Sequence, residues 1–254
     1  MRLRVLGCSG GIGGELRTTS FLIDDDILID GGTGLSELSL AEMMRIRHVF
    51  LTHTHLDHIA CLPLMIDSLF PYIADPIVIH GQPATIETLK KNIFNWAVWP
   101  DFSGLPSPEK AVMQYQTHQP GEVIAVGSRK FEMIPVHHIV PTVGYRIDGG
   151  RGVMAFSGDT TTNDTLWDTL NSRDRLDVLV VEVAFTDAFR ELSLLSRHYC
   201  PSLLAGDLKK LKHRPRIYLT HNKPGEETEI FEQCRRQVID RELKRLTGGM
   251  VLEI

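Results

Sequence analysis

Only four cysteines occur in the 254 residues, and no two form a C-x-x-C pair. Cys8, Cys61, Cys200 and Cys234 are scattered, which argues against a disulfide framework and predicts reduced thiols. Charge of one sign is not in large excess either. Lys and Arg number 27 against 32 Asp and Glu, a formal net charge of -5. A mild acidic balance argues against a broad electrostatic footprint for nucleic acid and leaves room only for a local basic patch. No apolar run approaches the length needed to cross a membrane. The opening "MRLRVLGCSGG" breaks at glycine after a few apolar residues, so it has no signal-peptide core. Together these absences predict a soluble cytoplasmic protein with no membrane partner. Repeats, low-complexity tracts and linkers are also missing, and the length suits one domain over residues 1–254 with a sizeable core.

What is present is a series of short apolar runs bounded by glycine or aspartate. "LRVLG", "SFLID", "DILIDGG" and "HVFLTH" read as buried strands in the first half. "KFEMIPVHH", "TVGYRID", "GVMAFSGD", "DVLVVEVAF" and "RIYLTH" form a second series. "ETLKKNIFNWAVW" and "EIFEQCRRQVIDRELKRL" have helical spacing and length, and "PDFSGLPSPEKA" reads as a surface loop. Strand clusters in both halves, interspersed with helices, predict two packed sheets with helices outside, an α/β sandwich.

Ligand-type residues stand where apolar runs end: His53 after "VFL", His138 after "MIPV", Asp159 after "VMAFSG", His221 after "IYL". Strands would carry them to a common rim. The densest stretch is His53-x-His55-x-Asp57-His58. Imidazole nitrogens and carboxylate oxygens are what a hydrolytic zinc centre uses when it keeps an open position. Histidines two apart at a strand end can converge on one ion, leaving the Asp57-His58 pair for a second. Any one of the later groups, by itself, reads as an ordinary core or surface residue.

In order, H-x-H-x-D-H, a histidine, an aspartate and a last histidine resemble the metallo-β-lactamase superfamily. "LGCSGGIGGELRTTSFLID" and "ILIDGGTGL" resemble its opening strand pair and glycine-rich turn. The resemblance implies a four-layer αββα sandwich with a binuclear site at one edge. It implies His53, His55 and His138 around one metal, Asp57, His58 and His221 around the other, and Asp159 bridging. His137 is the alternative to His138. The cofactors implied are two divalent ions, zinc first, with manganese or iron as alternatives.

Glu182 in "VVEVAF" and His198 in "SRHYCP" resemble the Glu and His that the tRNase Z-like branch uses beside its metals; with Asp57 they complete the expected catalytic set. A carboxylate orienting an imidazole gives an acid able to protonate an alkoxide leaving group. "THTHLDHIACLPLMIDS", the "TIETLKKNIFNWAVWP" passage and "THNKPGE" resemble class II cyclic nucleotide phosphodiesterases, with Ala60-Cys61 a departure from the small residues usual there. The expected activity is therefore hydrolysis of a 3′,5′-cyclic nucleotide to the 5′-monophosphate by a hydroxide shared between two ions. The alternatives are a tRNA 3′-end nuclease, a broad metal-dependent hydrolase, or a metal-containing nucleotide sensor without turnover. A homodimer is expected only by analogy with the branch. Phe94, Trp96 and Trp99 read as core residues, with a purine-stacking wall as the alternative reading.

Overall fold

The apolar runs form strands, and the computed structural model describes the whole chain, residues 1–254. The first six strands are β1 (Arg2–Gly7), β2 (Ser20–Ile23), β3 (Ile27–Ile29), β4 (His48–Phe50), β5 (Ile77–Gly81) and β6 (Met113–Thr117). The next four are β7 (Val123–Val126), β8 (Arg129–Val136), β9 (Thr142–Asp148) and β10 (Val153–Phe156). The last four are β11 (Val178–Glu182), β12 (Arg216–Thr220), β13 (Leu243–Arg245) and β14 (Val251–Glu253). One sheet has the order β14-β1-β2-β3-β4-β5-β6 and the other β13-β12-β11-β10-β9-β8-β7. Against them lie α1 (Leu40–Met43), α2 (Leu56–Ile59), α3 (Leu62–Leu69), α4 (Pro83–Asn92), α5 (Thr165–Asn171), α6 (Arg190–Ser196), α7 (Pro201–Leu208) and α8 (Glu227–Gln237).

Three apolar layers hold this together. Phe21, Phe50, Phe131, Tyr145 and Phe156 fill the space between the sheets. Leu35, Leu62, Ile66, Leu89 and Phe94 seat helices on the first sheet. Trp167, Leu170, Leu204, Leu208 and Ile230 do the same on the second. The result is the expected αββα sandwich. β3, β4 and β5 run parallel, as do β10, β11 and β12, so their carboxyl ends gather at one rim. No helix is long and apolar enough to cross a membrane.

Two helical expectations are corrected. α4 stops at Asn92, because Asn95 Oδ1 accepts from the backbone N–H groups of Ala97 and Val98 (3.0 and 2.8 Å) and turns the chain. Side-chain capture of backbone donors competes with helix. Phe94 is buried and Trp99 packs against the core, as expected, but Trp96 is 67% exposed. This turn carries the Trp96 side chain into solvent, so it is not the core residue expected. α8 ends at Gln237, and Leu243–Arg245 joins β12 as a parallel strand instead of continuing the helix. The proline-rich loop is better anchored than a surface excursion would be, since Phe102 is buried.

At the same sheet's far edge three imidazoles form a chain. His48 Nδ1 lies 2.9 Å from His80 Nε2, and His80 Nδ1 lies 3.0 Å from His118 Nε2. His80 is sandwiched face to face on Phe50. Burial, with His48 and His118 adding to it, pushes the His80 pKa down to about 3. Below pH 6.5 the unfolded chain therefore binds a proton here that the folded chain refuses. Stability is expected to fall by up to about 1.4 kcal/mol per pH unit from this group as pH drops from 6.5 towards 3. His80→Gln should flatten that acid limb of a melting-temperature profile; an unchanged slope would assign acid sensitivity elsewhere.

Candidate metal centre

Every residue predicted from the ends of apolar runs reaches the rim. His53 follows β4, His138 follows β8, Asp159 follows β10 and His221 follows β12. His55 is the N-cap of α2, whose first turn contains Asp57 and His58. One ligand atom each from His53, His55, His138 and Asp159 fall within 4.8 Å of one another. Those of Asp57, His58, Asp159 and His221 do the same, so Asp159 is common to both groups. His138 belongs to the first group and His137 does not, which favours the former of the two candidates.

Local backbone explains the convergence. Gly158 adopts φ +61° and a Cβ there would lie 2.6 Å from Val143 O, so only glycine lets the chain turn Asp159 inward. His221 itself adopts φ +64°, a conformation that costs a residue with a Cβ about 1–2 kcal/mol. Its N–H donates to Cys8 O (2.7 Å), which ties the ligand to the glycine-rich loop after β1.

The fit to metal ions rests on orphaned atoms. His53 Nε2, His58 Nε2, Asp159 Oδ1 and both ring nitrogens of His221 are buried without hydrogen-bond partners. Such groups are costly to leave unpaired unless something else engages them. Around the carboxylate, Asp159 Oδ2 lies 3.3 Å from His58 Nε2, 3.3 Å from His221 Nε2 and 3.7 Å from His53 Nε2. Burial opposes its ionisation, but the His221 and His58 imidazoles outweigh that and hold its carboxyl well below the usual range. Burial lowers the His138 pKa to about 4 and that of His221 to about 3, leaving both neutral at neutral pH. Neutral imidazole and ionised carboxylate are the states metal ligation requires.

Sequence reasoning missed the residues that aim these ligands. Asp30, at the end of β3, accepts from Thr52 N, Thr52 Oγ1 and His58 Nδ1 at 2.8, 2.8 and 2.7 Å. Because the Thr52 hydroxyl hydrogen goes to Asp30, the His53 Nδ1 3.0 Å away must donate to that oxygen. Both rings thus turn Nε2 towards the centre, as metal-binding imidazoles do. Burial opposes a charge on His58, but Asp159 and Asp30 outweigh it and raise its pKa well above 6.5, so an ion there displaces a proton. Asp30 follows an apolar run just as His53 does, so the same signal could have found it.

His198 and Glu182 come together beside this cluster. Glu182 is the last residue of β11, and its Oε1 accepts from His198 Nδ1 (2.8 Å) and from Thr160 N (2.9 Å). The His198 ring centroid lies 4.8 Å from that of His138 and 5.2 Å from that of His221. Burial works against a charged imidazole there, but Glu182 outweighs it and raises the His198 pKa above 6.5.

Comparison with known proteins agrees with this architecture. The family model described as "Beta-lactamase superfamily domain" matches residues 26–237. A 3′,5′-cyclic-nucleotide phosphodiesterase of Aliivibrio fischeri is 28% identical, over 82% of this chain and 74% of that protein. A ribonuclease Z of Thermosynechococcus vestitus is 28% identical over 59% of this chain, but only 37% of the ribonuclease is spanned. Unliganded yeast PDE1 superposes over all of this chain and 99% of its own, with TM-score 0.86 and 19% identity. The chain belongs to the β-lactamase superfamily and is one of its metal-dependent hydrolases.

Proposed function

We propose that the chain is a single-domain phosphodiesterase that hydrolyses a 3′,5′-cyclic nucleotide to the 5′-monophosphate. His53, His55, His138 and Asp159 would hold one divalent ion, zinc first among candidates, and Asp57, His58, Asp159 and His221 the other. When bound, two such ions supply a water activated at neutral pH and positive charge against the phosphate oxygens. The chain's own part is to fix those ions, exclude solvent from their inner faces, and deliver a proton to the departing 3′ oxygen.

The observation that carries the reading is the His198–Glu182 pair at 2.8 Å, with the His198 ring stacked on His221 and edge-on to His138. Of the two His198 ring nitrogens Glu182 engages only Nδ1, so Nε2 is the one left for the substrate. An alkoxide is a poor leaving group and needs such an acid. Thioester hydrolysis, whose thiolate leaves without a proton, gives the pair no comparable task. Two features favour a small diester over RNA. The stretch between β5 and β6 folds back onto the sheet with Phe94 and Phe102 in the core, so no arm protrudes there. Leu56 and Ile139, 67% and 52% exposed, stand directly beside ligand residues and offer apolar surface to a base.

The deciding experiment is a metal-replete panel of cyclic AMP, cyclic GMP, bis-p-nitrophenyl phosphate, precursor tRNA and a thioester. Cyclic nucleotides should turn over fastest. Precursor tRNA outpacing them would replace this reading with an RNA 3′-end nuclease, and an inert, metal-loaded, nucleotide-binding protein would replace it with a sensor.

The pair also fixes a pH dependence. The acid works while His198 holds its proton, so the rate falls as pH rises through a pKa that Glu182 keeps above 6.5. Glu182→Gln removes that support and leaves burial, which lowers the pKa. The alkaline limb of kcat should then move to lower pH. A limb that stays in place would mean another group is the proton donor.

A further inference from the structure

We propose that Arg197 is a positioning residue that fixes which ring nitrogen His138 presents to the metal centre, joining that ligand to the segment that carries His198. The proposal rests on the metal-centre reading above, not on the identity of the substrate.

Arg197 ends α6 in the left-handed conformation, φ 55° and ψ 51°. A residue with a side chain adopts this region at a cost, and such outliers persist where surrounding contacts enforce them. Here the turn aims the Arg197 carbonyl at the site, where it lies 3.0 Å from His138 Nδ1. A carbonyl can only accept. His138 must therefore carry its hydrogen on Nδ1 and its lone pair on Nε2, the nitrogen that faces His55 Nδ1 at 3.3 Å. The guanidinium answers in the opposite direction, with Nη1 donating to His138 O (2.7 Å). Residues 138 and 197 are thus closed into one ring by two opposed hydrogen bonds.

No other contact does this for the His138 ring. The bonds from His137 N to Thr160 Oγ1 (3.1 Å) and from Thr161 N to His137 O (3.0 Å) hold the preceding residue's backbone. On the far side the clamp is well founded. His198 N donates to Ser193 O (2.9 Å) and Ser193 Oγ donates to His198 O (2.7 Å), which fastens the chain just after Arg197 to α6. Displacing Arg197 would free His138 while leaving the His198–Glu182 bond in place.

Arg197→Gly separates fold from function, because glycine adopts the left-handed backbone freely while losing the guanidinium. The metal-free variant should melt no lower than wild type. In a Co(II) titration against a competing chelator, the ion in the His53/His55/His138 set should bind about tenfold more weakly, because the carbonyl that orients His138 Nδ1 remains but the guanidinium that clamps it there is gone. Its visible absorption should shift, while the ion in the Asp57/His58/His221 set keeps its affinity. Arg197→Lys, with one ammonium in place of a planar fork, should fall between the two. Wild-type affinities and spectra for both ions in Arg197→Gly would overturn the role. A wild-type protein that binds no Co(II) would overturn the metal-centre reading and this role with it.

Discussion

Asp159→Ala should empty both metal positions and lower kcat/KM by about 10⁴-fold or more, equivalent to about 5 kcal/mol of transition-state stabilisation. The size follows from where the carboxylate stands. It alone belongs to both ligand groups, so one substitution takes an anionic donor from each. It is also the negative charge that three surrounding imidazoles share, with Oδ2 3.3 to 3.7 Å from their Nε2 atoms. Without it, two cations would be drawn into a buried cluster held mainly by neutral histidines, with Asp57 the remaining carboxylate. Asp159→Asn, which keeps the volume but not the charge, should fail nearly as badly. Elemental analysis alongside turnover checks both variants, and a metal-replete, active Asp159→Ala would remove the basis for a shared centre.

His198→Ala should behave differently, lowering kcat on a cyclic nucleotide by about 10²–10⁴-fold while metal content stays at the wild-type level. His198 belongs to neither ligand group, and its Nδ1 is committed to Glu182. Its loss costs proton delivery to the leaving oxygen. The same variant should be far less impaired on bis-p-nitrophenyl phosphate, whose leaving group departs without a proton. That contrast is what separates an acid from a merely structural histidine. Equal losses on both substrates, or full activity on cyclic AMP, would reassign the residue.

Much of this was legible in the sequence because strands and ligands obey the same local rule. His53, His138, Asp159 and His221 each follow an apolar run, and parallel strands bring such positions to one rim. What was not legible depended on partners distant in the chain. Arg197 looks like one exposed cation among many until its backbone turns left-handed and meets a residue 59 positions away. Leu243–Arg245 has helical spacing, but pairing with β12 overrides it. Trp96 fits an amphipathic helix that a single Asn95 side chain interrupts. Helix ends and side-chain hydrogen bonds are decided by geometry that hydrophobic periodicity does not encode.

The Asp30 hub has a consequence for how the centre fills. One carboxylate orients His58 directly and His53 through Thr52, and those two histidines fall in different ligand groups. The Asp30–Thr52 unit is already hydrogen-bonded to both histidines, so the two positions share one support. Asp30→Ala should therefore weaken both positions together, whereas Arg197→Gly weakens one of them.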